Sequence, residues 1–138
     1  MAKPSKTIIT CAVTGAIHTP TMSEHLPISH DDIARQAIDA AEAGASILHL
    51  HTRDPIDGRP SVEPDDYVSI LARVKQSTNA VVNITTGGAP TMRIKERLKA
   101  AERFSPEMCS LNMGSINFAF HPLAKRYETF KYLSLIHI

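Results

Sequence analysis

The chain has no tryptophan, two cysteines among 138 residues, 5% aromatic residues and almost no excess of charge. Each shortage removes a class of explanation. Fifteen Lys and Arg against fourteen Asp and Glu leave a formal net charge of +1, and the basic residues form no dense run, so nucleic acid is discounted as a partner. The longest apolar stretches are a handful of residues broken by Thr or His, far short of the ~20 that span a bilayer. No transmembrane helix and no membrane partner are therefore expected. The start is basic, but the apolar run at 8–16 contains Thr10 and Thr14 and leads to no convincing cleavage site, so a secretory signal is not expected and the cytoplasm is the expected compartment. Cys11 and Cys109 sit in separate apolar segments without CxxC spacing, which favours a buried, reduced pair over a disulfide. A GxSxG elbow is missing and neither cysteine has an adjacent base, which leaves a covalent nucleophile unsupported.

What is present is an ordinary globular composition, 43% hydrophobic and 21% charged, with strand and helix patterns in alternation. Residues 7–13 form a β-rich run. Ser29, with Asp32 three residues on, opens a helix whose apolar face is Ile33, Ala34, Ala37, Ile38 and Ala41 and whose stop is Gly44. A second strand is predicted at 46–51 and a loop at 52–64. Tyr67, Ile70, Leu71 and Val74 mark a second helix, 80–85 a third strand, Ile94, Leu98 and Ala101 a third helix, and 108–112 a fourth strand. This β-α-β-α-β-α-β order implies parallel pairing, as an open doubly wound sheet or a barrel, with ligands beyond the carboxyl ends of the strands. The turn after strand one reads Val13-Thr14-Gly15-Ala16 and lacks GxGxxG, so a dinucleotide fold loses ground.

His49 and His51 are the most informative residues. Side chains alternate along a strand, so Leu48 and Leu50 face the helices while Ile47, His49 and His51 face the other way. The two imidazoles start about 7 Å apart and can reach a common ion, for which zinc is the natural candidate; two hydrogen-bonded histidines in a polar core are the alternative. Asn83 and Thr85 on strand three, and Ser110 and Asn112 on strand four, bring further polar groups toward the carboxyl ends. In Thr85-Thr86-Gly87-Gly88, two hydroxyls and closely approachable backbone N–H groups suit a carboxylate, although glycines that merely make the turn would look the same. Asp54 reads as orienting an imidazole, pairing with Arg53 or capping its loop, with a structural role favoured. The remaining histidines lie in loops or at element edges, with no ligand geometry in their spacing.

Four segments in order resemble the β-keto acid cleavage enzymes: Thr10-Cys11-Ala12-Val13-Thr14-Gly15-Ala16, His49-Leu50-His51-Thr52-Arg53-Asp54-Pro55, Thr85-Thr86-Gly87-Gly88, and Ser110-Leu111-Asn112-Met113-Gly114-Ser115-Ile116-Asn117-Phe118. The resemblance implies an α/β TIM (β/α)8 barrel that binds Zn²⁺ and exchanges acyl groups between a β-keto acid and acetyl-CoA, yielding acetoacetate and a new acyl-CoA. It implies that His49 and His51 are metal ligands and that Thr85, Gly88, Ser110 and Asn112 hold the keto acid. The family's third ligand, a glutamate, and its catalytic arginine and aspartate lie on strands beyond residue 138, so no catalytic residue is expected within the chain. Members that cleave 3-keto-5-aminohexanoate carry a glutamate directly after the Thr-Gly-Ala of strand one, where this chain has Ile17. An unpaired ammonium against Ile17 would be costly, so a neutral or apolar keto acid is expected.

Four strands are half of what a TIM barrel takes. Residues 1–132 are therefore expected to be the amino-terminal part of a single barrel domain, inactive alone, from a protein that is a homo-oligomer at full length. Residues 133–138 have no counterpart in the family pattern and read like one frame of a transposase sequencing adapter, a non-native tail. The competing enzyme class is another TIM-barrel metal-dependent hydrolase of the amidohydrolase type. That class also uses His-x-His on a strand, but on the first one, and it leaves the Thr-Thr-Gly-Gly turn unexplained.

Overall fold

In a computed structural model of the chain, which describes residues 6–88 and 92–111, the alternating pattern becomes one parallel sheet. The elements run β1 (Thr10–Ala12), α1 (His30–Glu42), β2 (Ile47–Leu50), β3 (Thr52–Arg53), β4 (Pro60–Ser61), α2 (Pro64–Ser77), β5 (Val81–Ile84), α3 (Ile94–Phe104) and β6 (Met108–Cys109). Strands β1, β2, β5 and β6 lie in that spatial order, each parallel to the next. Successive βα units thus add on one side without the reversal that marks a doubly wound sheet.

The burial pattern says which face the helices cover. Along β2, Leu48 and Leu50 are fully buried while Ile47 and His49 are half-buried; along β5, Val82 and Ile84 are buried while Val81 and Asn83 are not. Ile33, Ala34 and Ala37 of α1, Tyr67, Ile70 and Val74 of α2, and Ala100 of α3 complete the core on the Leu48 side. A strand buried on one face only, with helices confined to that face, is the wall of a barrel. The chain forms the amino-terminal part of a TIM barrel.

Local chemistry sets the element ends. Ser29 caps α1, its Oγ accepting from the Asp32 amide at 3.1 Å and donating to Asp32 Oδ2 at 2.7 Å. Past the far end of the helix, Gly44 takes φ +109°, which a residue without Cβ adopts at little cost.

Three details depart from expectation. The predicted loop at 52–64 contains an antiparallel ribbon pairing Thr52 with Ser61 and Arg53 with Pro60. Two-residue strands are too short to show alternation, which hid them. Helix α3 buries Arg97 and Ala100, while Ile94, Leu98 and Ala101 are only half-buried. Here a guanidinium satisfied by distant carbonyls displaces the apolar stripe as the inward face. Both cysteines are free, as expected, but Cys11 is half-buried and Cys109 exposed. Among the described residues, no helix is long and apolar enough to cross a membrane.

Candidate functional site

In a parallel sheet all strands share a carboxyl edge, and here that edge collects the polar side chains. The backbone ladder continues past the strands: the Thr85 amide donates to Leu50 O at 3.0 Å and the Ser110 amide to Ile84 O at 3.2 Å. From β1, Thr14 Oγ1 donates to His51 O at 3.4 Å. Thr14, His51, Thr85 and Ser110 therefore follow one another along the edge.

His49 lies in register between Ala12 and Asn83. Its Nε2 is 3.0 Å from Nε2 of His51, with ring centroids 4.7 Å apart and the rings near-perpendicular at 88°. When one Nε2 carries a proton the pair is a hydrogen bond; when neither does, two lone pairs converge. Burial, then the neighbouring His49 and Arg53 charges, push the His51 imidazole down to about 4, so that ring is neutral at pH 7. His49 Nδ1 and Asn83 Oδ1 are buried with no hydrogen-bond partner. The expected histidine pair is thus brought together. Among the described residues, no cluster of three or more His, Cys, Asp or Glu could hold a metal.

The Thr-Thr-Gly-Gly turn sits beside this pair, since a Cβ added at Gly87 would lie 3.8 Å from His51 Cε1. Thr85 is buried, and its Oγ1 accepts from the Gly87 amide at 2.9 Å, which leaves the hydroxyl proton to donate elsewhere. The Thr86 amide donates to Ser110 Oγ at 2.9 Å, while Thr86 Oγ1 donates to Ser110 O at 2.6 Å. These two bonds tie the turn to the end of β6. Gly88 takes φ +102° and has no room for a side chain, a Cβ meeting Met92 Sδ at 2.7 Å. Thr85 and Gly88 thus belong to the turn that reaches the imidazoles at Gly87, and Ser110 is tied to that turn through Thr86, whereas Asn112 lies outside the described residues.

Sequence reasoning missed the two buried arginines. Arg53 is fully buried and donates to Gly58 O at 2.7 Å and Gly15 O at 2.9 Å, joining the β3–β4 ribbon to the loop after β1. Arg97, 5% exposed, donates through Nη1 to Gly87 O at 3.2 Å and through Nε to Met92 O at 3.1 Å. Their only sequence signal is proximity: Arg53 follows the histidines by two residues, and Arg97 follows the glycine turn within the next helix. Asp54 caps its own loop, Oδ1 accepting from the Ile56 amide at 2.8 Å, in line with a structural role. Ile17, in the loop that Arg53 ties down, is 78% exposed.

A barrel wall with its polar groups gathered at the carboxyl edge is the layout of a TIM-barrel enzyme. Residues 6–134 match the beta-keto acid cleavage enzyme family, and the chain belongs to that family. It is 52% identical over 132 residues to the 3,5-dioxohexanoate:acetyl-CoA acetone transferase of Paraburkholderia graminis, covering 96% of this chain and 43% of that protein. It is 37% identical over 114 residues to the 3-keto-5-aminohexanoate cleavage enzyme of Acetoanaerobium sticklandii, covering 82% of this chain and 41% of that one. Among solved structures, ObcA in a ternary complex with a C4-CoA adduct and oxalate matches with TM-score 0.51 and 30% identity, over 62% of this chain and 23% of that one. The chain thus spans less than half the length of these relatives. Family membership, with His-x-His on the second parallel strand, leaves the amidohydrolase alternative without support.

Proposed function

We propose that the full-length protein containing this chain exchanges acyl groups between a β-keto acid and acetyl-CoA. In this reading R–CO–CH2–COO⁻ and acetyl-CoA give R–CO–S–CoA and acetoacetate: the bond from the keto carbonyl to the α-carbon breaks, the α-carbon takes the acetyl group, and the CoA sulfur takes the R–CO group. Metal dependence is general in this family; zinc is our reading, with His49 and His51 as two of its ligands. The observation that carries it is the convergence of two Nε2 atoms at 3.0 Å on the half-buried strand face. Two nitrogens on a tetrahedral ion with bonds of about 2.0–2.1 Å lie roughly 3.3 Å apart, so a shift of a few tenths of an ångström suffices. The neutral His51 ring fits the same role, because a ligating imidazole must be unprotonated.

When bound, the ion supplies Lewis acidity toward the oxygens of the keto acid. This chain's own residues bind and orient. Thr85 and Ser110 offer hydroxyls, Gly88 offers an amide, and Asn112 completes the set that holds the keto acid. Ile17 presents an apolar side chain to the acyl end, which fits a neutral or apolar R group and disfavours an ammonium. The third ligand and the catalytic arginine and aspartate come from the portion of the relatives' length that this chain does not span, so the 138-residue chain alone is inactive in this reading.

The test is the full-length protein assayed for acetoacetate formation from acetyl-CoA and a panel of keto acids, with bound metal measured by mass spectrometry. Zinc near one per subunit is expected, lost together with activity in His49→Ala and in His51→Ala. Full zinc content and turnover in both variants would overturn the assignment. Preference for 3-keto-5-aminohexanoate over neutral keto acids would overturn the role of Ile17.

A further inference from the structure

Helix α3 turns a charge, not its apolar stripe, into the barrel wall. Arg97 is 5% exposed, and its fork divides between Gly87 O and Met92 O. Burying a guanidinium costs far more than burying the leucine or methionine that would pack the same space, so mere filling does not account for it. What the fork does is fix a peptide plane. The described peptide bonds are all trans, and in a trans peptide the C=O of one residue and the N–H of the next point in opposite directions. With the Gly87 carbonyl held toward Arg97, the Gly88 N–H is turned away from it. The two preceding amides of the turn are engaged internally, Thr86 on Ser110 Oγ and Gly87 on Thr85 Oγ1.

We infer that Arg97 is a positioning residue for keto-acid binding, acting through the Gly87–Gly88 peptide. The inference rests on the proposal that Gly88 helps to hold the keto acid. Arg97 sets the direction of the Gly88 amide, and its positive charge behind the carbonyl polarises the peptide and strengthens that N–H as a donor. Neither effect needs Arg97 to touch substrate. A Cβ on Gly87 would lie 3.8 Å from His51 Cε1, so the residue whose carbonyl Arg97 holds stands beside the imidazole pair. Lysine would keep the charge but, as a point donor, would not span two carbonyls as the planar fork does.

The experiment compares Arg97→Lys and Arg97→Met with the unaltered full-length enzyme, measuring KM separately for keto acid and acetyl-CoA together with zinc content. The expected result is a keto-acid KM raised about tenfold in Arg97→Met, the loss of one charge-assisted hydrogen bond's worth of orientation, and by less in Arg97→Lys. The acetyl-CoA KM and the zinc content stay unchanged. An unchanged keto-acid KM overturns the inference, as does a parallel rise in both KM values or loss of folded, zinc-loaded protein in both variants. If the unaltered enzyme itself forms no acetoacetate, it is the underlying proposal that fails, which is a separate and recognisable result.

Discussion

Replacing Gly88 with alanine isolates what the turn beside the histidines demands of its backbone. At φ +102° an L side chain is disfavoured, by ~1–2 kcal/mol. The added Cβ would also lie 2.7 Å from Met92 Sδ and 3.1 Å from Val62 Cγ1. Overpacking of that kind adds ~1–3 kcal/mol, toward the lower end if the flexible thioether swings aside. The expected loss is therefore about 2–5 kcal/mol. Gly44 provides the control, because it has φ +109° with nothing within 4 Å of its added Cβ. Gly44→Ala should lose only the conformational part, ~1–2 kcal/mol. Urea unfolding of both variants, with unchanged m, measures the difference. Gly88→Ala should exceed Gly44→Ala by ~1–3 kcal/mol, and in the full-length enzyme only Gly88→Ala should raise the keto-acid KM. Equal losses in the two variants would refute the steric reasoning.

Arg53→Met should destabilise by about 2–6 kcal/mol, because it strands the buried carbonyl of Gly58 and the part-buried carbonyl of Gly15 at ~1–3 kcal/mol each; a urea midpoint unchanged from the parent would contradict this. The same variant should open residues 15–28 to limited proteolysis, since one end of that loop is held by the Arg53–Gly15 bond. Burial pushes the Tyr67 phenol up from 10.0 to about 12. A raised acid favours the folded state fully below pH 10 and loses that contribution as pH climbs through 12, a loss of ~3 kcal/mol. Stability of the parent should therefore fall more steeply over that window than that of Tyr67→Phe, and parallel alkaline profiles would count against it.

The sheet was readable because alternation along a strand is strict. Leu48 and Leu50 against Ile47 and His49 define two faces from four letters, and the structure buries the first pair only. Ser29 and Gly44 were readable because caps and left-handed stops use few residue types. The histidine pair and the Thr85–Gly88 turn were readable because they stand at strand ends, where a parallel sheet must gather them. Arg53 and Arg97 were not. Their carbonyl partners lie as far away as Gly15 and Gly87, and a charged letter in a periodic pattern reads as a solvated face unless the acceptors that satisfy it are known. Helix α3 was rotated in expectation for that reason.

The same alternation divides stability from chemistry, and Asn83 is where the division can be measured. It sits between Val82 and Ile84, both in the core, yet faces the other way, in register with His49. Its Oδ1 is buried without a partner, an arrangement that costs ~1–3 kcal/mol relative to an apolar group of similar shape. A fold selected for stability alone would place leucine there, and Asn83→Leu should be as stable as the parent or more so by about 1 kcal/mol. In the full-length enzyme the same change should depress acetoacetate formation, because the unpartnered acceptor belongs to the face that carries the imidazoles. A variant that is both stable and fully active would mean the carboxamide is incidental. One that unfolds would mean the inner face bears on the core after all, and the separation of the two faces would have to be abandoned.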